Sequence, residues 1–168
     1  MIPKIKRILY ATDLTKNSLY AFLYAADMAK KYDAYIVMLH AVEPPLLYFT
    51  PDSLETAERA KGEEQEIDLE EMKERLQDFC ERMEVHLGYS CSDLVFDILV
   101  PVGYPVEEIL KAADEKACDA IVLGTHGKGF LKQTLLGSTA ASVLKRSRIP
   151  VFAIPLPSDE TTIGWDNI

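Results

Sequence analysis

Apolar segments of strand length alternate with amphipathic segments of helix length along the whole sequence, and that alternation decides the fold class. Residues 6–12 read as a first strand. Asp13, Leu14 and Thr15 turn the chain, with Thr15 as a natural N-cap. A helix follows over 16–32, because Leu19, Phe22, Leu23, Ala26 and Ala29 recur at spacings of three and four. Residues 34–42 are apolar almost throughout, which suits a strand covered on both faces. Pro44, Pro45 and Pro51 make 43–53 a loop. A long surface helix is expected from about 54 to 87, with Leu69, Met72, Leu76, Phe79, Met83 and Leu87 in one stripe. Then come a strand at 95–100, a short helix at 106–116 with Pro105 near its first turn, and a strand at 119–123. A glycine-bearing loop at 124–136, a helix at 137–146 and a strand at 150–154 complete the pattern.

Repeated β-α-β order implies parallel strands joined by helical crossovers. Right-handed crossovers favour a doubly wound open α/β sheet, here five-stranded in the order 3-2-1-4-5 with helices on both faces. The length suits one domain, over 1–155, with 156–168 as a polar tail. Ligands of such sheets lie at the carboxyl ends of the strands, where the winding reverses. That rule points to the loops after strands one to four.

The net charge of −9 argues against nucleic-acid binding, which needs a basic face. The charge is unevenly placed. Residues 43–84 carry fourteen acids and five bases, so the long helix either shows water a solvated face or meets a basic partner. Residues 120–158 contain no acid, yet hold Lys128, Lys132, Lys145, Arg146 and Arg148. Burial alone does not account for five bases, and a local anionic ligand does. Apolar runs fall far short of the ~20 residues of a membrane span, and residues 1–7 lack the apolar core of a signal peptide. Cys80, Cys91 and Cys118 form no CxxC pair, which argues against a zinc site or a disulfide framework and for reduced thiols in a cytoplasm.

The chemistry concentrates after the fourth strand. Gly124 and Gly127 remove side chains where backbone amides can approach a ligand. Gly137, Ser138 and Thr139 open a helix, whose unpaired amides and positive dipole end suit a phosphate. Turn-forming glycines with a serine cap would leave the same residues behind. No GxxxxGK[ST] is present, and no GxGxxG follows the first strand, so neither a P-loop nor a dinucleotide fold is expected.

The spacing Gly124-x-x-Gly127, nine residues, then Gly137-Ser138 resembles the ATP-binding branch of the universal stress protein family. Ala11-Thr12-Asp13-Leu14-Thr15, Leu39-His40-Ala41-Val42, the 119–127 stretch and Ser147-Arg148-Ile149-Pro150-Val151 resemble further family segments, so the likeness spans about 4–155. It implies ATP, with Mg²⁺ or Mn²⁺, as ligand. Ala11, Thr12 and Asp13 would lie at the nucleotide, Asp13 near the ribose or the metal. The backbone of Ala41 and Val42 would read the adenine. Leu123, Gly124, His126 and Gly127 would contact ribose and phosphates, and Gly137, Ser138 and Thr139 would hold the phosphates. Thr15 stands where Ser is common in the family, and Ala41 where Val is.

Alternatives stay open at single residues. Asp13 either serves the site or caps the following helix. His126 is a ligand contact rather than a base, since no nucleophile is placed beside it in the sequence. His40 reads as a core histidine and His86 as an exposed one. Lys128 and Lys132 either steer phosphates or are simply solvated. Val151, Phe152, Ala153 and Ile154 form an apolar edge, and the resemblance implies a homodimer there. The function implied is a nucleotide-dependent switch or sensor in the stress response, with no catalytic residues. A slow ATPase or phosphotransferase is the enzymatic alternative, and a nucleotide-free dimer the structural one.

Overall fold

The computed structural model describes residues 2–44, 68–126 and 136–156. Its elements run β1 (Arg7–Ala11), α1 (Lys16–Tyr32), β2 (Tyr35–Leu39), α2 (Leu69–Leu87), β3 (Val95–Leu99), α3 (Pro105–Glu115), β4 (Ala120–Gly124), α4 (Ser138–Arg146) and β5 (Val151–Ile154). The strands form one parallel sheet in the order β3-β2-β1-β4-β5, as the alternation predicts.

Strand side chains alternate between two cores. Ile8, Tyr10, Ile36, Met38 and Val122 face α1 and α2. Leu9, Ala11, Val37, Leu39 and Ile121 face α3 and α4. In the first core Tyr10, Phe22 and Phe79 pack in series, Tyr10 tilted on Phe22 and Phe22 edge-on to Phe79, with ring centroids 5.1 and 5.2 Å apart. The Tyr10 hydroxyl, fully buried, donates to the carbonyl of Ser18 at 2.7 Å, which ties β1 to the first turn of α1. Ala21, Ala25, Ala26 and Ala29 give α1 a face of small residues and let it lie close against the sheet centre.

Two expectations need correction. A single helix over 54–87 does not form. Asp68 is extended and accepts from the amides of Glu70 and Glu71, so α2 has its own capped start at Leu69. An aspartate followed by acids in the first turn favours a helix beginning there. Residues 54–67 lie outside the described residues, as does the tail from 157 onward. Regular pairing of β2 also stops at Leu39, three residues early; Val42 returns only as a single bridge to Val102.

The thiols, scattered in sequence, are all free and buried. Cys80 on α2 and Cys91 in the turn before β3 meet inside the first core. The Cys80 hydrogen bond and burial together hold the Cys91 thiol far above its ordinary range. Burial pushes the Cys118 thiol up to about 11. Among the described residues no helix is long and apolar enough to cross a membrane. Thiolate is the nucleophile in alkylation, so iodoacetamide at neutral pH should leave all three cysteines unmodified in the native protein and label all three in denaturant. Mass spectrometry reads the outcome; rapid labelling of the native chain would contradict this packing.

Candidate functional site

A cavity of about 810 Å³ opens at the carboxyl ends of β1, β2 and β4. Its floor is Ala11, Thr12, Leu39 and Leu123, and its walls include Asp13, Ala41, Val42, Gly124 and His126. Gly137, Ser138 and Thr139 close the far side. All predicted site residues that are described line this one space; Gly127 lies outside the described residues, as do Lys128 and Lys132.

The β1–α1 turn is held by its own side chains. Leu14 sits at φ 63°, a left-handed conformation that a leucine rarely adopts. Its amide donates to Thr12 Oγ1 at 3.0 Å, and Thr12 Oγ1 also pairs with Ser18 Oγ at 2.9 Å. The Thr15 amide and hydroxyl both donate to Asp13 Oδ1, at 3.0 and 2.6 Å. Thr15, not Asp13, caps α1. Asp13 therefore organises the turn with one oxygen while its side chain borders the cavity. His40 is buried, as a core histidine should be, and its Nδ1 donates to the Thr12 carbonyl at 2.8 Å, which accepts only. It also lines the cavity.

The exit of β4 is fixed by contacts within the chain. The Thr125 amide donates to the Ile154 carbonyl at 2.9 Å, and the His126 amide to Asn17 Oδ1 at 2.6 Å. The Thr125 carbonyl accepts from the Gly137 amide at 2.6 Å. A Cβ on Gly124 would lie 2.8 Å from Asn17 Oδ1, and one on Gly137 would lie 2.9 Å from the Thr125 carbonyl. This changes the expected reason for Gly124, which admits Asn17; Gly137 opens α4 as expected and also clears the Thr125 carbonyl. The amides of Thr125 and His126 serve the fold rather than a ligand. His126 lines the cavity, and its ring Nδ1 lies 2.8 Å from Thr125 Oγ1.

Donors for a ligand remain at α4. Gly137 is its N-cap and brings no side chain to cap it, whereas Thr15 caps α1 and Asp68 caps α2. The first-turn amides of Ser138, Thr139 and Ala140 thus open onto the cavity these residues line. Across the cavity, the amide and carbonyl of Val42 are both committed, to Pro101 and Gly103 at 2.9 Å. The main-chain groups of Ala41 have no hydrogen-bond partner among the described residues. Of the pair expected to read a base, Ala41 is the one with groups to offer.

The acid-free segment also needs correction. Arg146 makes a two-pronged ion pair with Glu107, at 2.6 and 2.9 Å, and holds the Glu107 carboxyl below its usual range. Lys145 and Arg146 occupy the last turn of α4 and Arg148 follows it. They stand a helix length away from the cavity, on the order of 12 Å at 1.5 Å per residue. Three of the five bases therefore do not explain an anion site.

Sequence reasoning missed Asn17. Its signal was available: Asn17, Ala21 and Ala25 fall on one buried stripe of α1, and a polar residue on such a stripe needs a partner.

Residues 4–155 match the model of the Universal stress protein family. The chain is 28% identical over 158 residues to universal stress protein MJ0577 of Methanocaldococcus jannaschii, covering 89% of this chain and 94% of that protein. The solved MJ0577 structure resembles it with a TM-score of 0.70 at 27% identity, covering 92% and 99% of the two chains. A universal stress protein in complex with cAMP matches at a TM-score of 0.59 and 22% identity, covering 90% and 98%. Another, from Archaeoglobus fulgidus in complex with dAMP, matches at 0.58 and 20%, covering 89% and 97%. With the family model spanning nearly every described element, the chain belongs to the universal stress protein family.

Proposed function

We propose that this chain binds ATP with Mg²⁺ or Mn²⁺ in the cavity, and acts as a nucleotide-dependent switch or sensor in the cytoplasm. The observation that carries the reading is the N-terminus of α4, left without a side-chain cap among the described residues and opening into an 810 Å³ space. Unpaired first-turn amides and the positive end of the dipole make a phosphate site. The hydroxyls of Ser138 and Thr139 add donors. The main chain of Ala41, with Val42, would hold the adenine, and Ala11, Thr12, Asp13, Leu123, Gly124 and His126 would hold the ribose. Gly127 would join them, as the family resemblance implies. That relatives of this fold were solved with cAMP and with dAMP supports an adenine nucleotide.

The donor set also fits the metal. No group of three or more potential ligands occurs among the described residues. Mg²⁺ commonly takes one or two carboxylates and completes its shell with phosphate oxygens and water. Asp13 supplies such a carboxylate, and the ion would neutralise phosphate charge there. Holding contacts of this kind bind ground and transition states alike and do not by themselves speed hydrolysis. That favours a switch over an enzyme.

Ser138→Asp tests the phosphate site directly. An acid in the first turn suits the helix but repels an anion. Calorimetry should show Mg-ATP affinity reduced about tenfold or more, with thermal stability held or raised. Unchanged affinity would move the phosphates elsewhere.

A homodimer through β5 belongs to the same reading. Among the described residues β5 pairs only with β4, so its other side is an open edge, and Phe152 is 37% exposed there. The native mass at micromolar concentration should be that of two chains. A monomer would remove the dimer.

A further inference from the structure

Asn17 is 5% exposed, and its carboxamide joins three parts of the fold. Oδ1 accepts from the His126 amide at 2.6 Å, and Nδ2 donates to the Ile154 carbonyl at 3.2 Å. That carbonyl also accepts from the Thr125 amide at 2.9 Å. Both partners of the carboxamide are main-chain groups of fixed polarity, so its orientation is determined: oxygen toward the exit of β4, nitrogen toward β5. The bare Gly124 admits it, since a Cβ there would stand 2.8 Å from Oδ1.

We propose that Asn17 is a positioning residue: its carboxamide sets the exit of β4 and locks it to the last residue of the edge strand β5. The same run of bonds continues to the phosphate end of the cavity. Thr125, held through Ile154, accepts the Gly137 amide at 2.6 Å, and Gly137 is the N-cap of α4. A shift at Ile154, on the open edge, is therefore passed to His126 and to the start of α4 through main-chain hydrogen bonds and one side chain. The consequence for nucleotide affinity rests on the function proposed above; the positioning itself does not. Aspartate tests the geometry because it keeps an acceptor for His126 but turns an oxygen toward the Ile154 carbonyl. Alanine removes both arms.

The experiment is amide hydrogen exchange by NMR on the full chain, comparing the parent with Asn17→Asp and Asn17→Ala. In Asn17→Asp, exchange at Thr125 should rise at least about tenfold while His126 stays within about twofold. In Asn17→Ala both should rise at least about tenfold, with Tyr10 and Val122 at the sheet centre unchanged. Gly124→Ala should destabilise the parent more than it destabilises Asn17→Ala, where the carboxamide it strikes is gone and only the Asn17 main chain, 3.2 Å away, remains in its path. Mg-ATP affinity should fall about tenfold in Asn17→Ala. Parent-like exchange at Thr125 and His126 in Asn17→Ala would overturn the proposal. So would identical profiles for the two variants, a rise shared equally by the sheet centre, or undiminished ATP affinity in Asn17→Ala when the parent binds ATP. A parent that binds no ATP, with the predicted exchange pattern present, would end the nucleotide reading and uphold Asn17 as the residue that positions the loop.

Discussion

β1 is paired in parallel with β2 on one side and β4 on the other, and the functional geometry follows from that double pairing. Moving outward from β1 through β2 to β3, right-handed crossovers put α1 and α2 on one face. Moving the other way through β4 to β5, the same handedness puts α3 and α4 on the opposite face. The chain segments leaving β1 and β4 therefore diverge, and a space must open between their carboxyl ends. A tight β1–α1 turn follows, carrying a left-handed Leu14 that its neighbours hold in place. Strain of this kind costs on the order of 1–3 kcal/mol and persists only where its surroundings over-determine it. Thr12, Asp13, Thr15 and Ser18 supply that determination.

Charge in this molecule is organised differently from what the sequence implies. The bases of the acid-free segment looked like a ligand's counter-charge. Arg146 is instead spent on Glu107 to join α4 to α3, an exposed pair of a kind worth little to stability. Among the described residues, positive potential at the cavity comes from the helix itself, through first-turn amides that Gly137 leaves uncapped. Such a source is invisible to charge counting, because it resides in the backbone.

The parallel sheet and most strand positions were legible because hydrophobic periodicity reports on backbone geometry, whereas most residues that line the cavity were named through the family resemblance carried by the Gly124 to Ser138 spacing. Their reasons were less legible. Gly124 was read as making room for a ligand, yet the atom it makes room for belongs to Asn17, distant in sequence. A glycine shows that something approaches closely; only the fold shows what. The start of α2 was misplaced because helix-favouring composition across the segment outweighed the one capping signal, Asp68 followed by Glu70 and Glu71. Asn17 went unnoticed because its two partners, at the exit of β4 and at the end of β5, meet it only after folding.

The central claim is that the open N-terminus of α4 receives phosphate in the cavity at the head of β1 and β4. A crystal structure grown with Mg-ATP tests it most directly. The account predicts phosphate oxygens within hydrogen-bond reach of the Ser138, Thr139 and Ala140 amides, and the adenine edge on the main chain of Ala41. A nucleotide found elsewhere on the molecule, or lying in the cavity with its phosphates turned away from α4, would contradict it.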